Sequence, residues 1–250
     1  MTSSNQLYVD LSKYYDHFCR YIDYADQCAF AKRAYDLFNE SNKYEYFDLA
    51  CGTGQHLKAM QDYGFQVSGL DNSQAMLDQA LIRCPAAKLV CCDLAEFQHH
   101  AEFDLITCFL YSIHYSHPIL AFKETLNCAY RALAPGCIFI FDMVDKFGIR
   151  NITDLIDKVD NEDGELSFNS RWNYRGEGEV LDLFLDIHKQ TASDFQHWSD
   201  HHIMTAVEIT EVKRWMTEIG FQVTLLERDF QTMREWGSDS SNVIVVGHKL

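Results

Sequence analysis

The sequence predicts an α/β fold: a doubly wound, mostly parallel seven-stranded sheet with an antiparallel β insertion and an N-terminal helical cap. Three observations carry this expectation. From residue 44 to 144, short apolar runs alternate with segments of helical spacing, the rhythm of parallel βαβ units. The octet Phe47-Asp48-Leu49-Ala50-Cys51-Gly52-Thr53-Gly54 runs from a buried strand through a glycine turn into a helix, with Leu57 and Met60 apolar. Between 166 and 205 the apolar period changes to two, as in antiparallel strands with one buried face.

Taken in order, residues 8 to 40 carry Tyr14, Tyr15, Phe18, Tyr21, Tyr24, Phe30, Tyr35 and Phe38 at helical spacing, which predicts two helices lying on the core. Strands are expected at 44–50, 65–70, 88–91, 103–108 and 137–142, with helices at about 54–62, 73–83 and 117–132. Pro135-Gly136 reads as a turn before the fifth strand. Ser167 to Tyr174 and Val180 to Ile187 alternate, and Gly176 and Gly178 connect them as a hairpin. A helix at about 208–219 precedes strands near 221–228 and 242–248. The expected organisation is one domain over 1–250: a cap at 1–40, a core at 41–144, the β-rich insertion at 145–205 and the end of the core at 206–250.

Composition narrows the function. The net charge is −16, and no cluster of Lys and Arg is present to displace counterions from phosphates, so no nucleic-acid partner is expected. A small neutral or cationic substrate suits this field better. No apolar run reaches membrane-spanning length, and residues 1 to 10 lack the regions of a signal peptide, so a cytoplasmic protein with no membrane partner is expected. The nine cysteines are odd in number and contain no Cys-x-x-Cys pair, which fits free thiols in a reducing compartment. His197, His201 and His202, with Asp200 beside them, make no metal set, because positions 201 and 202 point to opposite faces of a strand. No metal is expected.

The chemistry gathers at the carboxyl ends of the predicted strands. The glycine turn lets a ligand approach the backbone. Asp71 ends the second strand, where a carboxylate can accept from both hydroxyls of a ribose, although an Asp there can also cap the following helix. Asp93 follows the third strand, where it can accept from an adenine amino group, and Phe103 to Cys108 form a fourth strand aimed at the same place. A dinucleotide fingerprint would need a third glycine three residues beyond Gly54; Leu57 stands there.

On these four motifs, in this order, the sequence resembles the class I S-adenosylmethionine-dependent methyltransferases, whose fold is Rossmann-like. The resemblance implies S-adenosyl-L-methionine as cofactor. It places Asp48, Ala50, Gly52 and Gly54 around the methionine part, Asp71 on the ribose, and Asn72 and Met76 beside the adenosine. Asp93 and Leu94 would flank adenine, and Phe109 would border the cofactor. Within the family the chain is similar to small-molecule members, including N-methyltransferases of amino sugars, through Tyr15-Asp16, Asp23-Tyr24 and the stretch from Phe109 to Tyr115. That likeness implies a small-molecule acceptor, an amine among the candidates. It also implies His114 and Tyr15 as catalytic residues and a homodimer as an assembly to test. The alternatives are a cofactor-binding regulatory or partner protein without catalysis, and a methyltransferase of a macromolecule. Arg171, Trp172 and Trp198 read as the wall of the insertion, with the acceptor pocket as a second reading.

Overall fold

The computed structural model describes residues 8, 12–41, 43–161 and 164–250. The other residues of the expected cap, 1–7 and 9–11, and the side chain of Tyr14 lie outside what is described.

The central sheet has seven strands in the order β10-β11-β5-β4-β1-β2-β3. They are β1 (Glu45–Leu49), β2 (Gln66–Asp71), β3 (Lys88–Cys91), β4 (Phe103–Cys108), β5 (Leu133–Val144), β10 (Phe221–Glu227) and β11 (Asn242–Lys249). β1 to β5 pair in parallel, while β11 runs antiparallel to both β5 and β10. The central strands β1, β4, β5 and β11 are buried on both faces, which explains their nearly continuous apolar runs. Alternate residues serve different cores. Phe139, Phe141, Val243 and Val245 face one cluster with Phe122, Leu126 and Trp215. Ile138, Ile140, Ile244 and Val246 face another with Phe30, Leu57 and Met60.

Helices α2 (Tyr24–Phe38), α3 (Gln55–Asp62) and α4 (Gln74–Arg83) supply the second cluster, and α5 (Ile119–Ala132) and α6 (Ile209–Ile219) the first. Strand order reverses between β1 and β4, so the crevice for a ligand opens at their carboxyl ends. No helix among the described residues is long and apolar enough to cross a membrane.

Two expectations need correction. Pro135 and Gly136 lie inside β5 rather than ahead of it: the β4–β5 register shifts between Phe103 and Leu105, and Gly136 takes φ 76° at that irregularity. The insertion forms a separate antiparallel sheet of four strands where two were marked out: β6 (Thr153–Asn161), β7 (Gly164–Tyr174), β8 (Val180–Gln190) and β9 (Phe195–Thr205). A register shift between Leu155 and Asp157 breaks the alternation along β6. β9 is polar over most of its length, so its period is hard to see.

The apolar face of this sheet is built from Leu166, Phe168, Leu181, Leu183, Leu185 and Ile187. Tyr8, Tyr15 and Phe18 from the N-terminal cap pack against it, the last two on helix α1 (Ser12–Phe18). Leucines spaced by two therefore have the cover that an apolar strand face needs. This packing brings the cap, the insertion and the crevice of the central sheet to one place.

Candidate functional site

The glycine turn sets the floor of the site. After β1 the chain turns through Ala50 at φ 59°, Gly52 at φ 54° and Gly54 at φ 81°. The Tyr15 ring lies 3.9 Å from where a Cβ on Gly52 would stand, so the backbone is open there only as far as the cap allows. Gly54 has a different task. It is the N-cap residue of α3, and a Cβ there would meet the Cα and Cβ of Ala80 at 3.1 Å. Gly54 thus lets α3 approach α4 and does not line the cavity.

Asp71 stiffens the turn from the neighbouring strand. One carboxylate oxygen accepts from the Gly52 amide at 2.9 Å, the other from the Ser73 amide at 2.9 Å. The cap of α4 is Ser73, whose hydroxyl accepts from Met76 N at 3.3 Å. Burial raises the carboxyl of Asp71, and the two amide bonds oppose that rise. Each oxygen keeps a further lone pair for a ligand hydroxyl. Asn72 donates to Asp93 at 3.1 Å, tying the ends of β2 and β3 together.

A cavity of about 300 Å³ opens above this frame. Ala50, Gly52, Asp71, Asn72, Met76, Asp93 and Leu94 line one side of it. A smaller recess adjoins through Ala50, Gly52 and Tyr15, and is lined also by Asp48, His56 and Phe109. Asp48 is 1% exposed there; its Oδ1 accepts from the Thr107 hydroxyl at 2.8 Å, while Oδ2 has no partner among the described residues. Burial pushes the Asp48 carboxyl up to about 7. His56 Nδ1 is 3.8 Å from Oδ2, but burial holds this imidazole down to about 3, and Nε2 meets Gln27 Oε1 at 2.7 Å. A neutral His56 leaves Asp48 Oδ2 in want of a donor.

The cap is locked onto the turn. Asp16 accepts from the Thr53 hydroxyl at 2.6 Å and pairs with Arg83 at 2.6 Å, and Arg83 also donates to the Thr53 carbonyl. Tyr15, beside Asp16, reaches both the cavity and the recess. Burial pushes its phenol well above the ordinary tyrosine value.

His114 is the main correction. It is fully buried in the 3-10 turn Ser112–Tyr115 and lines neither space. Nδ1 donates to the Thr205 carbonyl at 2.7 Å, and Nε2 accepts from the Val144 amide at 3.2 Å. Burial lowers its pKa to about 4. Both nitrogens are committed to tying the end of β4 to β5 and β9, so His114 has no lone pair for a substrate.

The cavity lining also includes residues the sequence reading did not single out for this role: Tyr8, Tyr115, His117 and His202. Tyr8 and Tyr115 share a hydroxyl contact at 2.8 Å. His202 is 2% exposed, on the inner face of β9. Its neighbour His201 faces outward, stacked on Phe184 at 4.5 Å and bonded to Asp182 at 2.8 Å. Arg171, Trp172 and Trp198 are absent from the cavity lining; Arg171 lies over the Phe184 ring, and Trp172 packs against Tyr111 and His114. Among the described residues no group of His, Cys, Asp and Glu has metal-binding geometry.

The donor set fits an adenosyl amino acid. Asp71 offers free lone pairs beside a turn open to close approach, and Asp48 Oδ2 offers an unpartnered buried oxygen for an ammonium group.

The family model described as a methyltransferase domain matches residues 47–136. A dTDP-3-amino-3,4,6-trideoxy-alpha-D-glucopyranose N,N-dimethyltransferase of Streptomyces venezuelae is 26% identical over 188 residues, covering 72% of this chain and 76% of its own. A dTDP-4-amino-2,3,4,6-tetradeoxy-D-glucose N,N-dimethyltransferase of Saccharopolyspora spinosa is 32% identical over 103 residues, covering 40% of this chain and 41% of its own. Among solved structures, the sugar N-methyltransferase KedS8 from Streptoalloteichus sp. superposes with a TM-score of 0.81 at 20% identity, covering 100% of this chain and 94% of that one.

Proposed function

We propose, for a chain that is a class I S-adenosylmethionine-dependent methyltransferase, that the methyl acceptor is a small molecule bearing an amine. One observation carries the reading: the strand-end residues and a set of tyrosines and histidines line one cavity. Asp71, Asp93 and Glu96 lie on that cavity, and no Lys or Arg lines it among the described residues. Such a lining favours a cation over an anion. The relatives named for amino-sugar dimethylation make an amino sugar the first amine to test.

In this reading Asp71 receives the ribose hydroxyls, Asn72 and Met76 flank the adenosine, and Asp93 and Leu94 border adenine. Asp48, Ala50, Gly52 and Phe109 surround the methionine part, with Asp48 Oδ2 toward its ammonium. Gly54 acts at one remove, by seating α3 on α4. When bound, the cofactor supplies a methyl group activated by a sulfonium. The chain's own work is then to align the acceptor and exclude water. Tyr15 serves as a positioning residue, since its raised phenol stays protonated near neutral pH and it borders both the cavity and the recess.

The test is transfer of labelled methyl from S-adenosylmethionine to a panel of small amines, alcohols and thiols of similar size. The reading expects label in the amines. Turnover confined to alcohols or thiols would reject the amine while leaving the cofactor assignment in place.

A further inference from the structure

Three buried histidines flank this site, and they are built differently. His56 bonds Gln27 through Nε2 in the recess beside Asp48. His114 has a partner on each nitrogen. His202 lines the cavity with its Nε2 sealed from solvent and without a hydrogen-bond partner among the described residues. Asp200 Oδ2, also buried, lies 3.9 Å from that nitrogen, within range of an ion pair but beyond a hydrogen bond. Tyr8 and Tyr115 meet the ring edge-on, at centroid distances of 5.2 and 5.6 Å. A carboxylate within ion-pair range favours the protonated form of an imidazole.

We propose that His202, backed by Asp200, accepts the proton that an acceptor ammonium must lose before its nitrogen can attack. The proposal rests on the amine reading above. With Nε2–H turned toward the Asp200 carboxylate, Nδ1 is the nitrogen left to take a proton from the cavity. The N–H bond of the ammonium breaks and its electron pair stays on the acceptor nitrogen as the nucleophilic lone pair. The proton passes to Nδ1 and from there to water at the cavity mouth.

The other ionisable groups on the cavity are worse placed for this task. Burial pushes the phenols of Tyr8, Tyr15 and Tyr115 up, so they remain O–H groups near neutral pH. His117 donates from Nδ1 to the Thr205 hydroxyl, 3.3 Å away, and has no carboxylate paired with it among the described residues. Burial pushes the Cys92 thiol up. Asp71 and Asp93 accept from Gly52, Ser73 and Asn72, and with Glu96 they belong to the ends of β2 and β3 on the cofactor side.

Two measurements on the full chain test the proposal, the first with S-adenosylhomocysteine bound and the second with S-adenosylmethionine as methyl donor. The first is a pH titration of histidine ring signals by NMR, with the His202 signal identified by its loss in His202→Gln. Asp200→Asn should change that signal, because this carboxylate backs the ring. A His202 signal identical in wild type and Asp200→Asn overturns the proposal. The second uses glucosamine as probe. His202→Gln should lower kcat about 10- to 100-fold, at or below the low end of general-base effects because an amine needs less help than a hydroxyl. The deficit should shrink as pH rises and the amine deprotonates in solution, with S-adenosylhomocysteine affinity unchanged throughout. Equal kcat in both proteins at every pH overturns the proposal but leaves the amine acceptor standing. Failure of the wild type to methylate glucosamine or any other amine counts against the acceptor, and the NMR titration then decides His202 alone.

Discussion

The two sides of the cavity are made in different ways. The proposed cofactor side is built mainly within one stretch, from Asp48 to Leu94, with Phe109 added from beyond β4, and β2, α4 and β3 follow one another directly in sequence. The other part of the lining takes Tyr8 from the N-terminal segment, Tyr115 and His117 from beyond β4, and His202 from a second sheet. A ligand that needs close backbone approach and a fixed carboxylate demands glycines and an Asp at set positions, so its site leaves a local pattern. An acceptor wall needs only side chains of suitable chemistry at one point in space, and any segment that reaches that point can supply them. The first side is a motif and the second is a meeting place.

The largest effect expected from breaking this contrast is on the frame that holds the two sides together. His114→Ala removes a fully buried ring and leaves the Val144 amide and Thr205 carbonyl without partners. It should cost about 2–4 kcal/mol of stability, measurable by denaturant unfolding. His114→Gln, which can still bond one of these groups, should cost less. A His114→Ala protein of unchanged stability but lost turnover would return His114 to the catalytic list.

The next effect falls on the cofactor side alone. Asp71→Ala should weaken S-adenosylhomocysteine binding by about 1.5–3 kcal/mol, the range for hydrogen bonds to a charged group. Calorimetry gives the number directly. Because Asp71 also holds the Gly52 and Ser73 amides, a smaller loss of stability should accompany it. Loss of stability with unchanged affinity would reduce Asp71 to a turn-holding residue.

A subtler effect is a pH dependence set by Asp48. Its carboxyl is raised in the folded protein from 3.8 to about 7, so between those values the folded state binds the extra proton. Its contribution to stability therefore declines as pH rises from about 4 to 7, the reverse of a salt-bridged carboxylate. Ligand binding should show the opposite trend, since pairing with an ammonium needs the ionised form. Affinity for S-adenosylhomocysteine should increase as pH rises through about 7, and Asp48→Asn should flatten both trends. An affinity that falls over this range would place the ammonium elsewhere.

Much of the central sheet was legible because strands buried on both faces cannot hide their apolar runs. The helices between them announced themselves by spacing and by turns such as Gly52 to Gly54. The insertion was half legible: β7 and β8 alternate openly, whereas β6 carries a register shift and β9 is mostly polar. For the site, alternation already put His201 and His202 on opposite faces, but nothing local tells which face meets the cavity. That depends on the docking of β9 beside Tyr8 and Tyr115, a long-range outcome. His114 misled for a related reason. Its position just past β4 is right for a site residue, yet the turn from Ser112 to Tyr115 directs its ring into the core toward Val144 and Thr205.

The measurement that tests the account most directly is a crystal structure with S-adenosylhomocysteine bound. The ribose hydroxyls should lie on Asp71, the ammonium beside Asp48 and the sulfur toward the space bounded by Tyr15, Tyr115 and His202. A ligand whose ribose lies away from Asp71, or whose adenine fills the wall of Tyr8, Tyr115 and His202, would contradict it.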